Sequence, residues 1–181
     1  MKSQTRLIQS FPPLARTDAT VLILGSMPGQ ASLKAQQYYA HPRNAFWAII
    51  SDFIGIAPST EYAQRCHSLL AHQIAVWDVL ASCQRPGSLD ANIVAGSLIV
   101  NDLPGFLAQH SSIHSILFNG RTAEKLFHQH VKAMLKRPYH YQHLPSTSPA
   151  HARQSLAQKQ THWLQALRQA SHGHQTRLAS N

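Results

Sequence analysis

An α/β fold of three layers, with a central, mostly parallel four-stranded sheet flanked by helices, is predicted by three features of this 181-residue chain. Short, nearly continuous apolar runs occur at 21–26, 74–80, 113–120 and 139–144. Stretches with helical apolar spacing lie between them. The runs lead into loops rich in Gly, Pro or polar residues. Apolarity without alternation suits strands covered on both faces. Strand–helix alternation in turn implies a parallel sheet.

Taken in order, the first run leads into the loop Gly25-Ser26-Met27-Pro28-Gly29. Residues 44–54 place Phe46, Trp47, Ile49, Ile50 and Phe53 at helical spacing, and Gly55 supplies a stop. A second helix is expected over 61–72. The second strand, 74–80, precedes a polar loop at 81–90. Helices at 103–110 and 122–135 bracket the third strand. The fourth strand ends at Pro145-Ser146-Thr147-Ser148-Pro149, ahead of a last helix over 152–170. Neither repeat nor linker interrupts this pattern, so 1–170 reads as one domain and 171–181 as a basic, flexible tail. In parallel sheets ligands bind at the carboxyl ends of the strands. The informative loops are therefore those after Leu24, Leu80, Phe118 and Leu144.

Composition narrows the function classes. Lys and Arg number 16 against 7 acidic residues, a formal net charge of +9, and the pI is about 10.1. A field of that sign attracts polyanions, nucleic acid first among them, although charge alone fits a merely soluble basic protein equally well. Seven carboxylates leave few candidates for paired-carboxylate chemistry or a carboxylate metal cage. Cys66 and Cys83 are too few for a disulfide framework, a four-thiolate zinc site or an all-cysteine iron–sulfur cluster, and read as reduced cytosolic thiols. No apolar run approaches the roughly 18 residues of a membrane span, and residues 1–15 lack a signal-peptide core. The expectation is a cytoplasmic monomer that uses no metal or cofactor and touches no membrane.

Two segments carry the chemistry. The glycines of Gly25–Gly29 let backbone approach a ligand and can shape an anion-binding nest, though a tight turn is the plainer reading. The segment 36–47, Gln-Gln-Tyr-Tyr-Ala-His-Pro-Arg-Asn-Ala-Phe-Trp, joins aromatics, amides and a cation. Tyr38 and Tyr39 offer flat faces for an unstacked base, and Arg43 a phosphate contact. Asn44 either caps the following helix or faces a ligand. Phe46 and Trp47 belong to the core. Asp78 ends a buried strand, where capping neighbouring amides is favoured over a tuned catalytic acid. The Cys83 thiol reads as packing and His41 as loop-shaping.

Gly25-Ser-Met-Pro-Gly followed by Tyr38-Tyr-Ala-His-Pro-Arg-Asn-Ala-Phe-Trp47 resembles the first motif of the uracil-DNA glycosylase superfamily, most closely its hypoxanthine-DNA glycosylase branch. Segments 77–90, 118–120 and 144–150 resemble later motifs of that branch, in order, so the likeness spans about residues 20–165. The resemblance implies a monofunctional enzyme that flips a deaminated base (hypoxanthine, uracil or xanthine) out of DNA and hydrolyses its glycosidic bond. It implies Asn44 as the catalytic amide and Tyr39 as the aromatic on the flipped base. Gly25, Ser26, Met27, Pro28, Gly29 and Asn119 complete the base pocket. Arg43, Ser88, Ser146, Thr147, Ser148, Ala150 and His151 would contact DNA, the last two beside the gap left by the extruded nucleotide.

The sequence departs from that pattern in three places. Met27 stands where mismatch-specific relatives place a water-orienting asparagine. The acid that activates water in the archetypal uracil enzymes has no counterpart in the loop, and His151 differs from the branch's usual residue. Three other readings stay open: a mismatch-specific uracil glycosylase, a lesion-binding protein without turnover, and a small-molecule phosphate binder built on the Gly25–Gly29 nest.

Overall fold

A computed structural model describes residues 7–172. Four strands, β2 (Val21–Gly25), β3 (Ile74–Asp78), β6 (Ser115–Asn119) and β7 (His140–Leu144), form one sheet in the order β3-β2-β6-β7. Every pair in it is parallel. The α/β expectation therefore holds, with all four carboxyl ends on one edge.

Alternation along the strands feeds two cores. Leu22, Leu24, Ala75, Trp77, Ile116 and Phe118 face α4 (Leu103–Gln109) and α5 (Arg121–His130). Val21, Ile23, Ile74, Val76 and Leu117 face α2 (Phe46–Ile54), α3 (Tyr62–Ala71) and α6 (Leu156–His172). Burial on both faces explains the uninterrupted apolarity of β2, β3 and β6.

The structure adds elements that the sequence does not announce. Residues 81–84, expected to open a polar loop, instead continue with Leu80 as β4 (Leu80–Gln84), antiparallel to β1 (Leu7–Gln9) and β5 (Ile99–Val100) in a small second sheet. A six-residue helix, α1 (Gln30–Ala35), follows the Gly25–Gly29 loop. The third strand and its helix begin and end within two residues of expectation, except that α5 stops at His130 and a single 3-10 turn at Lys132–Met134 replaces its last part. The last helix begins four residues later than expected and runs through Ser171 and His172. The rest of the expected tail lies outside the described residues.

Cys66 and Cys83 are buried free thiols. No helix of the described residues is long and apolar enough to cross a membrane. Among those residues no group of three His, Cys, Asp or Glu side chains could hold a metal.

Candidate active site at the carboxyl edge of the sheet

On the face that packs against α2 and α6, β2 and β3 present aliphatic rungs, Val21 with Ile74 and Ile23 with Val76, until the last one. There Asp78 pairs in register with Gly25. Asn119 follows Phe118, the partner of Leu24, and itself pairs with Leu144. The edge thus ends in a carboxyl, a bare backbone and an amide side by side. A Cβ on Gly25 would lie 2.5 Å from Asp78 Oδ1 and 3.1 Å from the Tyr39 hydroxyl. Glycine is therefore required at 25 by close approach.

The loop 36–45 closes over this rung. Tyr38, offered by the sequence as a stacking face, is instead a buried anchor. Its N–H donates to the Tyr62 hydroxyl at 2.9 Å, its own hydroxyl donates to Pro12 O at 3.0 Å, and its carbonyl accepts from Trp47 Nε1 at 2.8 Å. Tyr39 is forced the other way, into left-handed backbone with φ 55°. A non-glycine residue there stores strain that surrounding structure must over-determine, a feature concentrated at functional sites. One face of its ring lies against Phe46, with centroids 3.9 Å apart. Its hydroxyl is sealed from solvent, with the Asn119 side chain beside it. Burial and the neighbouring Asp78 raise its pKa, and Asn119 pulls the other way.

Asn44 lies one residue before Ala45, the N-cap of α2, yet its side chain holds the helix start. Its Oδ1 accepts from the N–H of Phe46 at 3.0 Å, at the first turn of α2. Its amide nitrogen donates to no other described residue. The next N–H, that of Ala45, donates to Thr147 O at 3.0 Å. Thr147 N donates to Asn119 Oδ1 at 2.9 Å, and Asn119 Nδ2 donates to Thr147 Oγ1 at 2.8 Å. The start of α2, the end of β6 and the loop after β7 are thereby locked together.

Within Gly25–Gly29 every carbonyl is engaged. Gly25 O accepts from Val79 N, Ser26 O from Leu80 N and Gly29 O from Leu33 N. Met27 O and Pro28 O both accept from the guanidinium of Arg85. The N–H groups of Ser26, Met27 and Gly29 donate to no other described residue. The loop has used its acceptors and kept its donors, the polarity of an anion nest. Its side chains serve the fold. Met27 is 6% exposed and joins the core beside Trp77 and Phe106. Ser26 Oγ donates to Asp90 Oδ2 at 2.7 Å.

Arg85, which the sequence does not single out, organises this corner. It is 3% exposed, donates to Gly87 O at 3.2 Å and pairs with Asp90 at 3.4 Å. A lone arginine in a Pro/Gly/Ser stretch looks solvated, and nothing local signals that it turns inward.

The residues expected at DNA separate into two groups. Arg43, Ser88 and Ala150 are exposed, Ser146, Ser148 and His151 are partly buried. Ser88 Oγ accepts from Gln30 N, Ser146 Oγ from Ser148 N, and Ser148 Oγ from Ala150 N. The last two of these bonds give the 146–151 turn its shape. Thr147 is a correction: at 1% exposure and bonded to Asn119, it is internal and cannot meet a phosphate. A groove of about 370 Å³ flanks the turn, lined in part by Arg121, His143, Pro145, His151 and His162. Burial, then Lys159, Arg153, His143 and Arg121, push the His151 imidazole below its ordinary pKa.

The family model of the uracil DNA glycosylase superfamily matches residues 12–170. The chain belongs to this superfamily. It is similar to two proteins named hypoxanthine DNA glycosylase. That of Methanosarcina barkeri is 32% identical over 161 residues, covering 88% of this chain and 98% of the relative. That of Methanosarcina acetivorans is 32% identical over 146 residues, covering 80% and 89%. The solution NMR structure of a candidate uracil DNA glycosylase from M. acetivorans superposes with a TM-score of 0.77 at 30% identity, covering 92% of this chain and all of that one. Membership makes DNA the substrate class.

Within that site Asp78 stands out physically. It is 3% exposed, and its Oδ2 has no partner among the described residues. Burial, then the Asp90 charge, push its carboxyl up to about 7, with Arg85 pulling back. A folded-state pKa above the ordinary 3.8 favours folding in acid; that advantage is lost as pH rises to 7 and is gone beyond it. The full charge-burial cost is roughly 4 kcal/mol. Asp78→Asn is therefore expected to stabilise the protein at pH 8.5, by on the order of 2 kcal/mol since the amide also needs partners, and to do nothing at pH 4. Urea unfolding at the two pH values checks this; equal effects at both would refute the buried charge.

Proposed function

We propose that the chain is a monofunctional DNA glycosylase that flips a deaminated base, hypoxanthine first and uracil or xanthine next, and hydrolyses its glycosidic bond. The observation that carries this reading is the convergence of Gly25–Gly29, Tyr39, Asn44 and Asn119 on one edge of the sheet, with donors unengaged at both the loop and Asn44. The resemblance to proteins named hypoxanthine DNA glycosylase supports the ranking of bases.

The chemistry asks little of charged side chains. The C1′–N bond breaks heterolytically, its electron pair leaving with the base. Water adds at C1′ of the cationic sugar, and its proton passes to solvent or base. Loop N–H groups and the amide nitrogen of Asn44 stabilise the developing negative charge, as oxyanion donors do. Since Asn44 Oδ1 is already held by the helix, leaving-group stabilisation suits it better than water activation. Met27, immersed in the core, takes no part in orienting water. A base already mispaired costs less to extrude, and the 146–151 turn fills the gap.

An end-labelled duplex with deoxyinosine, deoxyuridine or deoxyxanthosine at one position, treated with alkali after incubation, tests the proposal. Base release is expected, fastest from deoxyinosine, with strand breaks only after alkali. Salt-dependent binding without release from any duplex would replace the enzyme with a lesion-binding protein. Binding that ignored salt would also remove DNA as the ligand.

A further inference from the structure

The charge of the chain is segregated. Eight of its 16 Lys and Arg residues follow Glu124, and none of its 7 carboxylates does. That acid-free stretch supplies the end of α5, the 3-10 turn, β7 and α6, and β7 is the outer strand of the four-stranded sheet. Among the described residues no Lys or Arg beyond 124 pairs with a carboxylate, and Glu124 itself faces His143 Nδ1 at 3.2 Å. Like charges gathered along one edge repel each other, and a polyanion laid against them removes that cost. Resting on DNA as the substrate class, but not on which base is released, we propose that the β7 edge is a second DNA surface. It grips the phosphate backbone of undamaged duplex beside the lesion.

The amino end of this edge selects a backbone over bases. The Arg137 guanidinium lies 4.4 Å from the centroid of the Tyr139 ring, and the Lys132 ammonium 5.3 Å from that of Tyr141. Phe118, Phe127 and His128 also crowd Tyr141, with centroids 6.2, 5.7 and 5.8 Å away. Single-strand binders stack bases on open aromatic faces; here cations and neighbouring rings already lie against them. The tyrosines act as platforms that fix two cations at the rim. Arg137 donates one N–H to Ile113 O at 2.7 Å, and a guanidinium has five, so others remain for phosphate oxygens. Lys132, Lys136 and His140 are exposed. From His140 to Leu144 the strand rises roughly 13 Å, the axial length of about four phosphates on one strand of duplex DNA. Its far end enters the groove of Arg121, His143 and His151 beside the 146–151 turn, so the edge is continuous with the surface assigned above to the lesion.

Two measurements on the full-length protein test this surface. Lysine acetylation read by mass spectrometry needs no variant: saturating undamaged duplex is expected to protect Lys132 and Lys136 severalfold. Fluorescence anisotropy then compares the wild type with the double variant Lys132→Gln/Lys136→Gln. Each lost phosphate contact makes the slope of log K against log salt shallower by about 0.9. The double variant should therefore bind undamaged duplex roughly 10- to 100-fold more weakly near 0.1 M salt, with a slope shallower by about 2. Lys132→Arg/Lys136→Arg should bind as the wild type does, and unchanged thermal melting shows that both variants fold. Unaltered reactivity of the two lysines under saturating DNA overturns the inference. So does an unaltered salt slope in the folded glutamine variant. A loss confined to single-stranded DNA or duplex RNA overturns the choice of occupant. Because the probe carries no damaged base, absence of base release from any duplex would overturn the enzyme reading and leave this one to its own result.

Discussion

Asn44→Asp is expected to leave a folded protein that releases base roughly 10²- to 10³-fold more slowly, the loss that follows removal of one oxyanion donor. The substitution separates two roles that alanine would confuse. Asn44 Oδ1 accepts the Phe46 N–H at 3.0 Å, and aspartate keeps that acceptor at the first turn of α2, where a negative charge also suits the helix dipole. What aspartate removes is the amide nitrogen, which no other described residue engages. If Asn44 stabilises the departing base through that nitrogen, a carboxylate repels the same charge and activity collapses while the melting temperature holds. If Asn44 instead orients water through its oxygen, a carboxylate accepts at least as well and activity survives or rises. Asn44→Ala should lose activity similarly and about 1 kcal/mol of stability besides, the usual worth of a cap. Single-turnover excision of deoxyinosine, set beside thermal melting, distinguishes the cases; retained excision in Asn44→Asp refutes donation by the amide.

The fold was largely legible because its central strands are covered twice. Burial on both faces writes itself as unbroken apolar sequence, and β2, β3 and β6 sit where those runs are. The small sheet was not legible, because β1 and β5 are three and two residues long and β4 carries Ser82 and Gln84. A strand that short and polar has no periodicity to read. At the site, Gly25, Tyr39 and Asn44 stood out by residue type and through family likeness. Thr147 was misread because sequence shows a hydroxyl but not its direction, and here Asn119 claims it from within. Asp78 could be recognised only as an acid ending a buried strand. Its neighbours at the sheet edge, Gly25 and Tyr39, are far away in the chain. Arg85 was invisible for the same reason, since two of its partners, Met27 O and Pro28 O, lie 58 and 57 residues away in the chain.

That invisibility makes Arg85 the sharper test of how the site is held. Arg85→Met is expected to cost roughly 3 kcal/mol of stability, the low end for breaking a buried ion pair, because partly exposed Asp90 can recover water. The methionine fills much of the volume but leaves Met27 O and Pro28 O without donors. The Gly25–Gly29 loop then loses the tie that turns its carbonyls inward, so excision should fall even under conditions where the variant is folded. Arg85→Lys restores charge yet offers one ammonium where a guanidinium serves the carbonyls of Met27, Pro28 and Gly87 and the Asp90 carboxylate, and should recover only part of either property. Arg85 also restrains the Asp78 carboxyl, so its loss should push Asp78 further up and deepen the loss of stability as pH rises. In the Asp78→Asn background no carboxyl remains to respond. The stability cost of Arg85→Met should then be smaller than in the wild type, and any pH shift should vanish. Additive costs in urea unfolding of the single and double variants would show that Arg85 supports the loop without acting on Asp78.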